Sequence, residues 1–530
     1  MRLICFALLS VVLIPAAVSA QVSPSGLLDT RALHANGLER MWFTQLDVNR
    51  ARGRVVGLSQ FVSSTKYHTV FEFIYDGKRY AFSERDRNAF GEMIGVEAAQ
   101  QKAEQALAQL KTELVAAGNA DPQLPTIQTH LVPQVTLAAT TDRGILQVLD
   151  GETGRTLWAT LVGNPQHPTT EPAISDEYVA ACNGSTLYVY RIADGQLAWQ
   201  KQVMGAIGAG PAITDELIYV PMINGSMETY SVKNPRRPQV FRAFGRTVVQ
   251  PVASPHSVAW PTDKGKLYVG HARGGTLKYR IEATDAMVAG PTFLPPDKIL
   301  VTSLDGYVYC VEEGRGQIVW RFTTGDSISQ SALAVGDQVY AVTDGGELYA
   351  ISSADGKEIW MVPGIRSILA GNKERIYVTD VTGSIQILSA NSGSRMGSIY
   401  APGLNLQFIN VLTDRIIVGN RTGLIQCIRE RDLLYPVAHQ HFEGAAPAVV
   451  PQKPAAAPAG EKPVVDPFAD PGDADPFGGD AAPAPKKPEA DPFGDDAADP
   501  FGGDADPFGG DAEMKKDDSE PAEADPFADS

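Results

Sequence analysis

A unit of about forty residues recurs through the middle of this 530-residue chain, and a ring of small sheets is the fold that absorbs such a repeat. Its clearest copy, residues 338–360, reads Gln-Val-Tyr-Ala-Val-Thr-Asp-Gly-Gly-Glu-Leu-Tyr-Ala-Ile-Ser-Ser-Ala-Asp-Gly-Lys-Glu-Ile-Trp. Two alternating runs each end at an Asp-Gly turn, and a third strand closes on Trp360. Glycine is expected at these turns because two-residue hairpin loops need positive φ. The first turn glycine falls at Gly144, Gly184, Gly225, Gly265, Gly306, Gly345, Gly383 and Gly423, at spacings of 38 to 41 residues. Four short strands per unit make one propeller blade, so the eight recurrences predict an all-β chain built on an eight-bladed β-propeller over residues 126–436. The second turn and its tryptophan recur as Gly154 with Trp158, Gly195 with Trp199, Gly316 with Trp320 and Gly356 with Trp360.

The last unit runs into Arg429-Glu-Arg-Asp-Leu-Leu-Tyr435 and stops without a tryptophan-bearing outer strand. Residues 38–46, which carry Trp42, have the character of that missing strand. A ring must join its first and last blades or expose two sheet edges, so the N-terminal strand is expected to close it. Between this strand and the first full repeat, residues 54–61, 70–75 and 79–83 read as strands, and residues 92–117 as a helix. Ala103, Leu107, Leu110, Leu114 and Ala117 fall on one face of that helix. Residues 21–125 thus form an N-terminal segment with a strand and helix insertion.

Residues 1–20 read as a signal peptide. Arg2 precedes an apolar run, and Val18-Ser19-Ala20 supplies the small residues of a cleavage site. An uncleaved anchor is the alternative; no later segment reads as a membrane span. At the other end, residues 437–530 are Pro/Ala-rich and then Asp/Gly/Pro-rich. Residues 461–530 hold 21 acidic and 5 basic side chains, nearly all of the chain's net charge of −17. The remainder is close to neutral and has no basic stripe of the kind that tracks nucleic-acid phosphates. The tail is expected to be disordered. It repeats Asp-Pro-Phe six times, with Phe468, Phe477, Phe493, Phe501, Phe508 and Phe527 as candidate weak contacts on one tether. Against that stands an entropic bristle that only solubilises. Cys182, Cys310 and Cys427 read as small buried hydrophobes.

The pattern of turn glycine, Leu-Tyr-Ala, Asp-Gly and a closing tryptophan resembles the repeat of pyrroloquinoline-quinone (PQQ) enzymes. Asp150-Gly-Glu-Thr-Gly-Arg-Thr-Leu-Trp158 looks like their tryptophan-docking motif. Non-enzymatic propellers share it, and the chain also resembles the propeller lipoprotein of the outer-membrane β-barrel assembly machine. The enzyme resemblance would imply a quinone under two adjacent disulfide-linked cysteines, a calcium ion on Glu, Asn and Asp, and an aspartate base. No Cys-Cys pair exists here. Aligned back from the first turn, Thr129, Glu171, Gly210, Gln250, Gly290, Gln330, Ser367 and Gln407 are expected to ring the axis, with a single carboxylate and no arginine or lysine. His130 and His167 have no evident partner, His439 and His441 form a lone pair, and Asn183, Asn224 and Asn420 read as turn residues rather than glycan acceptors. The expectation is therefore an exported, monomeric, non-enzymatic scaffold that binds envelope proteins, with no catalytic, cofactor or metal site. A quinoprotein oxidoreductase or cofactor carrier is the alternative, and a surface protein acting through its tail is a third.

Overall fold

The computed structural model describes residues 26–48, 53–117, 123–401 and 403–440. The leader, His441 and all six Asp-Pro-Phe phenylalanines lie outside them. In each repeat the two middle strands, such as Gln338–Val342 and Glu347–Ser352, are buried on both faces. The outer strand, Glu358–Pro363, keeps alternate residues exposed. That pattern follows from stacking. A sheet between two neighbours has no solvent face, and only its outer edge meets water.

Among the described residues there are eight such sheets, each with four consecutive strands in the ladder order of a meander, one of them extended by a fifth strand and one completed from the N-terminus. Eight apolar clusters fill the spaces between consecutive sheets. Leu146, Val148, Val179 and Tyr190 join the first to the second. Trp42, Leu149, Ile417 and Ile425 join the eighth back to the first. The chain is therefore a closed propeller whose core is divided among its interfaces.

Leu38–Gln45 pairs antiparallel with Leu424–Glu430 as the outermost strand of the eighth sheet, with Trp42 opposite Cys427. A short helix that the sequence pattern had not shown, α1 (Thr30–Ala35), precedes it. Asp29 caps α1 by accepting the N–H groups of Arg31 and Ala32. Leu33 plugs the cluster between the seventh and eighth sheets.

The first sheet differs from expectation. Its innermost strand is Val55–Tyr75, contributed from before the helical insertion, and Gln128–Thr141 is its second strand. Thr129 therefore does not face the axis; it pairs with Phe71 in the outer continuation of that hairpin. Alternation alone cannot show which of two consecutive strands is inner when a helix separates them. The continuation, with Lys78–Ser83 and α2 (Gly95–Ala116), forms an appendage in which Ala99 and Ala103 pack on Phe71 and Phe82. The helix begins three residues later than its pattern suggests because residues 84–95 form a tight loop. There Asn88 Oδ1 accepts the N–H groups of Phe90 and Glu92. Side chains brace the appendage to the ring. Ser63 and Thr65 donate hydroxyls to Asp176 of the second sheet, and Arg85 pairs with Asp150 of the first at 3.2 Å.

The turns also depart in detail. Most loops between second and third strands span four residues rather than two: Gly265 N–H donates to Thr262 O and Gly306 N–H to Ser303 O. In the sixth sheet the residue with positive φ (+91°) is Gly346, not Gly345. Gly57 is required for another reason. A Cβ there would lie 2.2 Å from Glu171 Cγ and 2.8 Å from Glu171 Cα on the neighbouring inner strand. Backbone cannot yield as a side chain can, so Gly57→Ala is expected to cost about 1–3 kcal/mol through overpacking. A denaturation midpoint equal to wild type would refute that reading.

Candidate interaction surface

The five tryptophans read from the repeat lie on outermost strands. Each donates its indole N–H to a carbonyl of the following sheet: Trp42 to Gly151 at 2.9 Å, Trp158 to Ile192 at 2.8 Å, Trp199 to Val232 at 2.7 Å, Trp320 to Ser353 at 3.0 Å and Trp360 to Ala390 at 2.8 Å. Trp42, Trp320 and Trp360 are buried, whereas Trp158 and Trp199 are half-buried. Close approach fixes the glycine opposite: a Cβ at Gly154 would meet the Trp42 ring at 2.4 Å. Two aromatics were missed by a search for tryptophan at fixed spacing. Tyr279 takes the docking place in the fourth sheet, its hydroxyl 3.0 Å from the carbonyls of Glu312 and Glu313. Trp260 packs between the third and fourth sheets from a second strand rather than an outer one.

The axis holds a cavity of about 1420 Å³. Of the residues expected around it, Glu171, Gln250 and Gly290 line it. Ser367 is buried away from it, and Arg366 takes the lining position instead. Arg273 and Arg421 line it too, which corrects the expectation of an axis without basic side chains. Several polar groups serve as ties between inner strands. Gln250 donates to Pro172 O at 2.9 Å and Pro211 O at 2.7 Å, and Gln330 donates to Arg366 O at 2.8 Å. Burial pushes the Glu171 carboxyl above the usual carboxylate range, although it faces the cavity. A calcium ion needs roughly six to eight oxygens, usually from several carboxylates. Among the described residues no group of three His, Cys, Asp or Glu could hold a metal ion. The three thiols are buried, and burial raises Cys182 to about 12 and Cys310 to about 11, far from thiolate reactivity. Asn183 is a buried turn residue, donating to Asn164 O and His167 O, both at 3.1 Å.

A different kind of site lies on the face of the propeller formed by the connectors between blades. Met204, Ile223, Phe244 and Val248 are exposed there, at 71%, 52%, 63% and 44% of their surface. Three chain segments bring them together. Ile223 N–H donates to Ala206 O at 2.9 Å, Ala243 N–H donates to Gly225 O at 2.9 Å, and Thr247 O lies 3.0 Å from where a Gly208 Cβ would be. Arg242, Arg246 and Lys264 are exposed at its margin, Arg246 bonded to Asp263 at 2.9 Å. The buried Glu228 holds the patch from beneath by accepting the Met204 N–H at 3.2 Å and the Tyr230 hydroxyl. Apolar side chains fixed on rigid turns and rimmed by guanidinium groups form a surface suited to a protein partner.

A sequence profile described as outer membrane protein assembly factor BamB matches residues 102–234, 142–287 and 304–462, more than half of the chain. The chain belongs to the BamB family. Two curated relatives bear that name. The Shewanella oneidensis protein is 23% identical over 257 residues, 44% of this chain and 54% of its own length. The Yersinia pestis protein is 22% identical over 356 residues, 61% of this chain and 81% of its own. The match thus spans about half the length of the Shewanella BamB. Among solved structures, BamB from Moraxella catarrhalis aligns with a TM-score of 0.48 and 15% identity, covering 56% of this chain and 91% of that one. The computationally designed Ika8 protein aligns at 0.45 and 15%, covering 55% and 92%. The ring-closing strand and most of the appendage precede the residues matched to the BamB profile. Among the described residues no helix is long and apolar enough to cross a membrane.

Proposed function

We propose that this chain is an exported, non-enzymatic propeller scaffold that binds a protein partner in the cell envelope during outer-membrane assembly. The observation that carries the reading is the patch of Met204, Ile223, Phe244 and Val248 with its arginine rim. Membership of the BamB family supports the setting. Apolar residues on turns of a rigid ring bind without a large ordering cost, and the flanking charges select an acidic, apolar partner surface. Replacing Met204 and Phe244 together by serine is expected to reduce cross-linked partner from envelope extracts at least tenfold, with the melting temperature unchanged. Equal recovery from wild type and variant would remove the patch from the argument.

A quinoprotein is the second reading, favoured by Arg366, Arg421 and Glu171 along the cavity. The residues fit it poorly, since of the lining carboxylates Glu171, Asp176 and Asp215 the second is engaged by Ser63 and Thr65, and no vicinal cysteines are available. Stoichiometric PQQ uptake with calcium and dye-linked oxidation would establish it. For the tail we propose weak, redundant contacts through Phe468, Phe477, Phe493, Phe501, Phe508 and Phe527. Each is worth about 1–3 kcal/mol if fully buried in a pocket. Serine at successive positions is expected to release the partner stepwise, and full retention by the all-serine tail would leave only a solubilising role.

A further inference from the structure

We propose that the mouth of the axial cavity beside the appendage is a peptide-binding groove, and that the chain's own residues 433–440 are its resident ligand. This face is opposite the patch described above, because each inner strand runs from a blade connector to its first turn. After Leu424–Glu430 no described residue adds a further strand to any of the eight sheets. Its β-pairing among the described residues is the single bridge of Ala438 with Thr413. A segment outside every sheet would ordinarily be held loosely, yet this one is gripped along its whole length.

The grip begins with Arg415, whose side chain is 1% exposed. It donates to Leu433 O at 3.1 Å and to Leu434 O at 2.9 Å, and Arg429 donates to Leu434 O at 2.7 Å. A buried guanidinium is expensive to desolvate, so aiming it at the carbonyls of a passing segment marks a place built to hold backbone. Tyr435 enters a slot on the appendage. Its ring lies 5.0 Å from that of His130 and 5.2 Å beneath Arg79, and its hydroxyl donates to Glu72 at 2.7 Å. Beyond buried Pro436, Val437 N–H donates to Asp414 Oδ1 at 2.8 Å, and Asp414 N–H donates to Val437 O at 3.2 Å. His439 N–H donates to Leu412 O at 2.8 Å. Gln440 then reaches Phe293 O of the fifth sheet at 3.2 Å, so the segment crosses the axis.

These contacts define the ligand. Backbone groups are read at residues 433, 434, 437 and 439, which requires an extended chain. The slot takes a tyrosine followed by proline. No residue of Leu-Leu-Tyr-Pro-Val-Ala-His-Gln carries a carboxylate, lysine or arginine. The class is an extended, uncharged peptide led by tyrosine-proline and followed by small aliphatic residues. Because the resident copy is tethered, its effective concentration is high, and a peptide in trans enters only when that copy is weakened or outcompeted. Pro436, Val437, Ala438 and Gln440 also line the axial cavity, so displacement would open that end of it.

The test uses the full-length chain. Tyr435→Ala weakens the resident segment, and a fluorescent peptide of residues 433–440 is titrated into variant and wild type. The variant is expected to bind it at least tenfold more tightly than wild type, and a peptide with alanine in place of tyrosine is expected to bind neither. A folded variant that binds no better than wild type overturns the proposal. Should the variant fail to fold, hydrogen exchange on the wild-type chain decides. Millimolar peptide is expected to speed exchange of the Val437 and His439 amides at least tenfold, and unchanged rates overturn the proposal.

Discussion

Trp42→Ala is expected to lower the free energy of unfolding by about 3–5 kcal/mol, the range for truncating a large core side chain. Trp42 is 7% exposed and packs among Leu149, Ile417 and Ile425, and its indole N–H is bonded to Gly151 O. The loss falls on the N-terminal strand that completes the eighth sheet. The sheet that carries Trp42 is completed by the pairing of Leu38–Gln45 with Leu424–Glu430, and losing that pairing exposes two strand edges. The fall in denaturant midpoint should therefore exceed that of Trp158→Ala, whose ring is half-buried. A Trp42→Ala midpoint equal to wild type would show that Leu38–Gln45 contributes pairing but no packing.

Arg415→Ala is expected to cost a comparable amount, about 3–5 kcal/mol, because it strands buried carboxylates. Asp414 lies 2.9 Å from the guanidinium and Glu152 lies 3.9 Å from it. Burial pushes the Glu152 carboxyl from its ordinary 4.5 up to about 7, against the opposing pull of Arg415. The sign follows directly. Between pH 4.5 and 7 the folded state holds a proton that the unfolded chain has released, so stability falls as pH rises through that window and levels off above it. The contribution is on the order of 3 kcal/mol. Glu152→Gln is expected to flatten the decline between pH 5 and pH 8, measured as denaturation midpoints at both values. An unchanged slope in the glutamine variant would place the titration elsewhere.

The repeat made the ring legible because each blade needs a turn and an aromatic at nearly fixed spacing, and Trp320 and Trp360 occupy such positions. Tyr279 escaped because docking needs a flat ring and a polar tip aimed at a carbonyl, which tyrosine supplies as well as tryptophan. Val55–Tyr75 escaped as an inner strand because its partner follows about fifty residues later, beyond α2. The patch was not legible at all. Met204, Ile223, Phe244 and Val248 are unremarkable one by one, and only the ring brings their turns together. Residues 433–436 read as the end of the last unit and 437–440 as the start of the tail, because nothing in their composition signals the buried arginine that holds Leu433 and Leu434.

The joining of Leu38–Gln45 to Leu424–Glu430 also acts as a check on completeness. The strand that finishes the ring is among the first made, and its partner emerges nearly four hundred residues later. Until then Leu38–Gln45 has no strand to pair with, and its edge stays available to other chains or to a holding chaperone. A chain that stops before Leu424 lacks the partner strand and keeps that edge open. The fold thereby ties closure of the ring to the presence of the last blade.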